Sequence, residues 1–291
     1  MATMTATTMA TYLPEVWSRL ATITYRQKTI IWPLMDHRWE NEIGHGAGDT
    51  VNVPNFADNS RSDVTTRTTF GTVAALTFVA NTQLQTQLIV NKMAYKAHQI
   101  PVEMGVQAMP MYNTLMAQGI GQAIAGQMDY YIASDATVGF EAFTAIGTDN
   151  VDVTEAVILQ GEQNLNDVLA PQDGRYFVMS PATRSSIIQI DVLRNQLYSS
   201  TVGRIAGDVA NGYMGKIFTL DCYMDADLLA GTSGKKNFIG HMEAIAVASQ
   251  QSVKMVGGLN IADGLMNEVA GYCVYGAKIV KSTFGREVAG K

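Results

Sequence analysis

Apolar side chains recur at helical spacing between residues 11 and 27, at Leu13, Val16, Trp17 and Leu20. This spacing predicts a short amphipathic helix, with Pro14 tolerated in its first turn. Residues 29–34 are apolar and β-leaning, with Pro33 as a breaker, and are expected to pack an N-terminal arm against the body. After the glycine-rich stretch 44–49 the period changes to that of a strand. Val51, Val53 and residues 65–70 are β-branched or aromatic, 57–63 is turn-like, and Leu76, Phe78, Leu84, Leu88 and Val90 continue an extended pattern. The pattern predicts a long two-stranded excursion that leaves at Asp49 and returns at Asn91. An isolated hairpin is marginally stable in water, and this one has too few apolar residues for a core of its own. It is expected to lie on another subunit.

Pro110 opens the longest helical pattern, carried by Tyr112, Leu115, Met116, Ile120, Ala123, Ile124, Met128, Tyr131 and Ile132 as far as Ser134. A helix of some 25 residues spans roughly 37 Å. Ala117, Gly121 and Ala125 are spaced by four, so one stripe of this helix is small and lets another backbone approach closely. Asp129 and Asp135 fall at its C-terminal end, where the helix dipole disfavours anions. An arginine from elsewhere is expected to compensate them.

From residue 145 the texture becomes α/β. Asp152 with Glu155 predicts a capping box for a helix running to about Val168. Residues 171–174 form a turn and 176–179 a short buried strand. Ser180 followed by Pro181 is an N-cap with proline at the first helical position, for a helix carrying Ile187, Ile188 and Ile190. Residues 216–223 and 238–248 supply further strand material. Strands return at 252–261 and 271–280, followed by a short tail.

Charge changes the picture more than size does. The 291-residue chain is 47% hydrophobic but only 16% charged, against about 25% in a typical soluble domain. Intrinsic disorder of the whole is thereby excluded. The net charge of -6 argues against a broad basic surface for nucleic acid. Between residues 97 and 174 there is no Lys or Arg but there are ten acids, and between 29 and 91 there is no Lys at all. Such surfaces suit contact with other protein better than a freely soluble monomer. The N-terminus has no basic region followed by an apolar one, so it does not read as a secretory signal. No apolar run reaches the ~18 residues of a membrane span. Cys222 and Cys273 sit in apolar contexts and read as buried free thiols, in keeping with a reducing cytoplasm.

Candidate chemistry is sparse. His37, His45, His98 and His241 have no partner at metal-ligand spacing, so no metal and no cofactor is expected. Ser180 stands in VMSPA, not in the GxSxG turn of a nucleophilic serine. Gly119, Gly121 and Gly126 lie inside the long helical pattern with no strand before them, which suits close packing and not phosphate binding. The sequence announces no catalytic residues.

The order of elements and several local phrases carry more information. Residues 175–183 (RYFVMSPAT), 212–221 (GYMGKIFTLD), 244–251 (AIAVASQQ) and 271–281 (GYCVYGAKIVK) are similar to phrases of tailed-bacteriophage major capsid proteins. The whole chain resembles that family's Hong Kong 97-like fold, an α+β architecture. The resemblance implies an N-terminal arm and short helix at 1–48 and an extended E-loop at 49–91. It also implies a peripheral domain with its spine helix at 92–150 and 252–291, and an α/β axial domain at 151–251. It implies self-assembly as pentamers and hexamers into an icosahedral shell enclosing double-stranded DNA, which the acidic chain would contact weakly and without specificity. Separate scaffolding, portal and decoration proteins are implied as partners, with no membrane, the virion capsid as location, and assembly in the host bacterial cytoplasm. Some relatives cross-link through an E-loop lysine; the lysine-free stretch 29–91 leaves no residue for that chemistry. At the E-loop tip Asp58, Arg61, Asp63 and Arg67 alternate in sign and are the candidates for inter-subunit ion pairs. An encapsulin-type compartment with the same fold, and a cytosolic α/β enzyme with its site in 151–251, are the rival readings.

Overall fold

Alternating and continuous apolar runs sort the strands into two principal sheets and one hairpin. The computed structural model describes residues 29–44, 48–56, 83–102, 112–195, 212–232, 234–261 and 264–291. Its helices are α1 (Glu40–Gly44), α2 (Tyr112–Ser134), α3 (Glu155–Asp167) and α4 (Pro181–Gln189). Its strands are β1 (Thr50–Phe56), β2 (Gln83–Ile89), β3 (Lys92–Pro101), β4 (Ala145–Gly147), β5 (Arg175–Met179), β6 (Tyr213–Ile217), β7 (Leu220–Met224), β8 (Lys235–His241), β9 (Ile245–Asn260), β10 (Met266–Ile279) and β11 (Gly285–Gly290).

The six-stranded sheet has the order β4-β11-β8-β5-β7-β6. It is mixed: β5 runs parallel to β7 and β4 to β11, while the remaining pairs are antiparallel. All five residues of β5 are buried, and Tyr176 to Met179 are the continuous apolar run of a covered strand. At Gly161 on α3 an added Cβ would lie 2.7 Å from Ile239 Cδ1, so the helix seats directly on β8. Phe238 stacks flat on Phe140 with centroids 4.1 Å apart. The last strand, which the sequence grouped with the long helix, lies inside this sheet, with Val288 fully buried.

The second sheet is three-stranded, in the order β3-β10-β9, with α2 packed on one face. Facing pairs place Lys92, Ala94 and Lys96 of β3 on the same side as Tyr275, Cys273 and Gly271 of β10. This is the helix side. A Cβ on Gly271 would lie 2.5 Å from Ile120 Cγ2 and 3.2 Å from Ile124 Cδ1, so glycine here allows α2 to approach. The hairpin predicted from Asp49 to Asn91 is present at its base, where β1 and β2 pair antiparallel from Thr50 opposite Ile89 to Phe56 opposite Gln83. Val53, Leu88 and Val90 form a small core with Ile43, Ala246 and Ala248, so the base is anchored on its own chain.

The hairpin base crosses β10 at Gly276. A Cβ there would run into the Ile89 carbonyl and lie 2.8 Å from Val90 Cα, backbone atoms that cannot swing aside. Gly276→Ala is expected to cost roughly 1–3 kcal/mol, the usual penalty of overpacking, read as a lower denaturation midpoint. Gly121→Ala is the contrast. Its Cβ would meet only Met255 Cε at an ordinary 3.8 Å, so stability is expected to hold or rise by up to ~1 kcal/mol through helix propensity.

Three local expectations are corrected. Residues 29–34 are not extended: Trp32–Leu34 is a 3-10 turn with Pro33 in its first positions, because the backbone N–H groups here bond to a side chain and not to a strand. Asp152 does not cap α3. Thr154 holds the N-cap position without a side-chain bond, and Asp152 accepts a hydrogen bond from Ser186 Oγ at 3.0 Å. The tail after residue 280 is the 3-10 turn Ser282–Phe284 followed by β11. Ser180 does cap α4, accepting from the Thr183 N–H at 3.0 Å.

Candidate assembly surfaces

Burial along β9 divides it in two. Ile245 to Ala248 are fully buried, whereas residues 252–259 are exposed on both faces. That outer half and the start of β10 present Val253, Val256, Leu259, Ile261 and Leu265 to solvent, with Ile261 74% exposed. The face of the three-stranded sheet turned away from α2 also presents apolar side chains, between Lys254 and the Gln99–Glu268 pair. There Met93 lies opposite Val274, Tyr95 opposite Tyr272, and Val256 opposite Ala270. Tyr95 is 74% exposed and Met93 59%. Single exposed apolar residues are normal, but a contiguous patch of this kind marks an interaction surface.

Asp58, Arg61, Asp63 and Arg67 lie outside the described residues. Ala117, Gly121 and Ala125 all lie on α2, and Gly121 and Ala125 are half-buried. Among the described residues no backbone comes within 4 Å of a Cβ placed at Gly119, Gly121 or Gly126, and the close approach to this helix within the chain is at Gly271.

Among the described residues no arginine meets Asp129 or Asp135, and that expectation is corrected. Asp129 is only 5% exposed and accepts the backbone N–H groups of Ile30 at 2.6 Å and Trp32 at 2.8 Å. Main-chain dipoles thus stand where a cation was expected, and they fasten the segment after the N-terminal arm to α2. Burial pushes the Asp129 carboxyl up to about 6; the Trp32 and Ile30 donors oppose this and the nearby Asp225 adds to it. Asp225 is itself raised, chiefly by burial. Asp135 lies just beyond the helix end. Burial pulls its carboxyl upward, but bonds from Thr137 Oγ1, Thr137 N and Val138 N outweigh it and hold the group below the usual carboxylate range.

Sequence reasoning also missed an ion network at the start of β9. Arg38 forks onto Asp36 and reaches Glu243 at 3.2 Å, and Lys281 meets the same Glu243 at 3.0 Å. It ties the segment before α1 to both flanks of the β9–β10 hairpin.

Among the described residues no catalytic geometry emerges. Both cysteines are buried and free, their thiols pushed up by burial. His241 is lowered by burial and bonds the Asp173 carbonyl and the Glu243 N–H, a turn-stabilising role. His37 bridges Glu40 and the Trp32 carbonyl. Among the described residues no three His, Cys, Asp or Glu side chains are grouped to hold a metal ion, and no helix is long and apolar enough to cross a membrane.

The architecture now on the page, a mixed six-stranded sheet joined to a three-stranded sheet with a long helix, is the fold of bacteriophage capsid proteins. The chain is similar to a structure from Mycobacterium phage Che8 at 17% identity, with TM-score 0.72, covering 95% of this chain and 97% of that one. It is similar to the capsid of Ralstonia phage GP4 at 13% identity, with TM-score 0.70, covering 96% and 95%. It is similar also to the capsid structure of the cyanophage P-SCSP1u at 15% identity, with TM-score 0.63, covering 98% and 94%. No family model matches this sequence, nor does any curated protein sequence.

Proposed function

We propose that this chain is the subunit of a bacteriophage capsid shell. It assembles as pentamers and hexamers into an icosahedral particle around double-stranded DNA, in the host cytoplasm. The observation that carries this reading is the likeness to capsid structures across nearly the full length of both chains. The apolar β9–β10 hairpin, uncovered on both faces at its outer half, supports it by supplying surface that neighbours would bury. In this reading residues 49–91 form the E-loop, α2 is the spine helix, and the six-stranded sheet is the core of the axial domain. The E-loop tip, with Asp58, Arg61, Asp63 and Arg67, pairs with neighbouring subunits. Stable interfaces of this kind bury ~1,600 Å² or more.

The test is negative-stain microscopy of the expressed protein, alone and with co-expressed scaffolding and portal proteins. Discrete rings or shells are expected. Val256→Asp with Leu259→Asp is expected to abolish particles while leaving the melting temperature of the subunit unchanged, since both side chains are exposed. A stable monomer under every condition overturns the reading. Small particles filled with protein would instead indicate a cargo compartment.

A further inference from the structure

A groove of about 580 Å³ runs between β3 and α2. Ala94, Ile124 and Tyr275 are among its lining, with Ala123, Gln127 and Tyr131 from the helix and Lys92 and Lys96 from the strand. Among the described residues no acidic side chain lines it. The two lysines are four residues apart on one strand and face the same side, roughly 13 Å apart. Neither makes an ion pair among the described residues, although Lys92 is near enough to Asp135 to help lower its carboxyl. Lys92 Nζ instead stands 5.6 Å above the Tyr131 ring. β3 is also the outer strand of its sheet, so over ten residues its free edge has no strand partner among the described residues.

We propose that this edge and groove bind an extended acidic segment of a separate protein. The segment adds to β3 as a fourth strand and places two carboxylates, four residues apart, on Lys92 and Lys96. Strand addition supplies backbone hydrogen bonds, and the flanking groove supplies selectivity. Lysines on an edge normally repel stray strands; here the same pair refuses neutral or basic strands and admits an acidic one. Among the described residues a second copy offers no acidic edge strand: β1, β2, β4, β6 and β9 carry no carboxylate. The occupant proposed is accordingly a separate polypeptide, and self-association of the chain through this edge would overturn it. This inference stands apart from the shell reading and can fail without it.

The experiment is fluorescence anisotropy with a labelled nine-residue peptide of threonine and valine carrying glutamate at its third and seventh positions. It is titrated with the full chain at concentrations where sedimentation gives single subunits. Saturable binding that weakens with salt is expected. Lys92→Gln with Lys96→Gln is expected to weaken it at least tenfold without changing the melting temperature. A peptide with lysine in place of both glutamates, and one with a central proline that blocks backbone pairing, are expected to lose binding. Equal binding of the lysine peptide, or an unchanged affinity for the double variant, overturns the proposal. Undiminished binding of the proline peptide overturns it too, because charge alone would then explain the contact.

Discussion

Arg175→Met is expected to destabilise the subunit by about 2–4 kcal/mol, the cost of leaving one buried and several half-buried acceptors without their donor. Arg175 opens β5 and is only 1% exposed. Its guanidinium reaches back to the end of α3. Nε donates to the Pro171 carbonyl at 2.8 Å, Nη2 to the Ala170 carbonyl at 2.6 Å, and Nη1 to Asn166 Oδ1 at 2.7 Å and Thr219 Oγ1 at 3.4 Å. The last carbonyls of a helix have no partner within it, and here one planar fork serves those of the turn that follows α3. Thr219 Oγ1 also donates to Glu162 Oε1 at 2.7 Å, so the network links α3, the β6–β7 turn and β5. Methionine fills the space but leaves the buried Ala170 carbonyl and three half-buried acceptors without this donor; a buried one costs ~1–3 kcal/mol and the others less. Arg175→Lys is expected to recover only part of the loss, because a single ammonium cannot match the fork. Denaturant unfolding checks this; a methionine variant within 1 kcal/mol of the parent would refute it.

The second large effect is one of pH. Asp129 titrates near 6 in the folded chain, against about 3.9 when unfolded, so the folded state holds this proton more tightly. The contribution to stability is complete below pH ~4 and is lost as pH rises through about 6. Roughly two units correspond to ~3 kcal/mol. Asp225, raised for the same reason, works in the same direction. Asp129→Asn removes the proton and keeps the side chain's size. Its stability relative to the parent is therefore expected to improve by ~3 kcal/mol between pH 4 and pH 7.5. Paired unfolding curves at the two pH values measure this double difference; a constant offset, or a change of opposite sign, would falsify the account.

These two residues also show what the sequence conceals. α2, α4 and the pair β9 and β10 were legible because a 3.6-residue period, a Ser-Pro cap and long β-branched runs are local signals. The base of the 49–91 hairpin was legible for the same reason. β3 was not, since an edge strand exposed on both sides alternates weakly: Lys92, Met93, Tyr95, Lys96 and Ala97 are all exposed. Nor was the placement of β11, whose partners β4 and β8 lie far away in sequence. Asp129 was noticed as an uncompensated acid, but the compensation comes from backbone groups 97 and 99 residues away, which no side-chain motif can announce. Arg175 gave no signal because its acceptors are mostly carbonyls. Surface chemistry at the E-loop tip was readable only as alternating charge.

The position of β11 has a consequence for timing. It is an interior strand of the six-stranded sheet, and among the described residues β4 has no other strand partner. Asn237 donates to the Val288 carbonyl and accepts from the Ser180 N–H, so the cap of α4 is completed through the same strand. During synthesis the sheet cannot close until residues 285–290 have left the ribosome, and pairing over such separations is slow. A chain stopped before Gly285 would leave β4 and one edge of β8 open. Chains stopped there would therefore differ at the β4 side of the sheet, and any assembly built on that side would have to wait for residues 285–290.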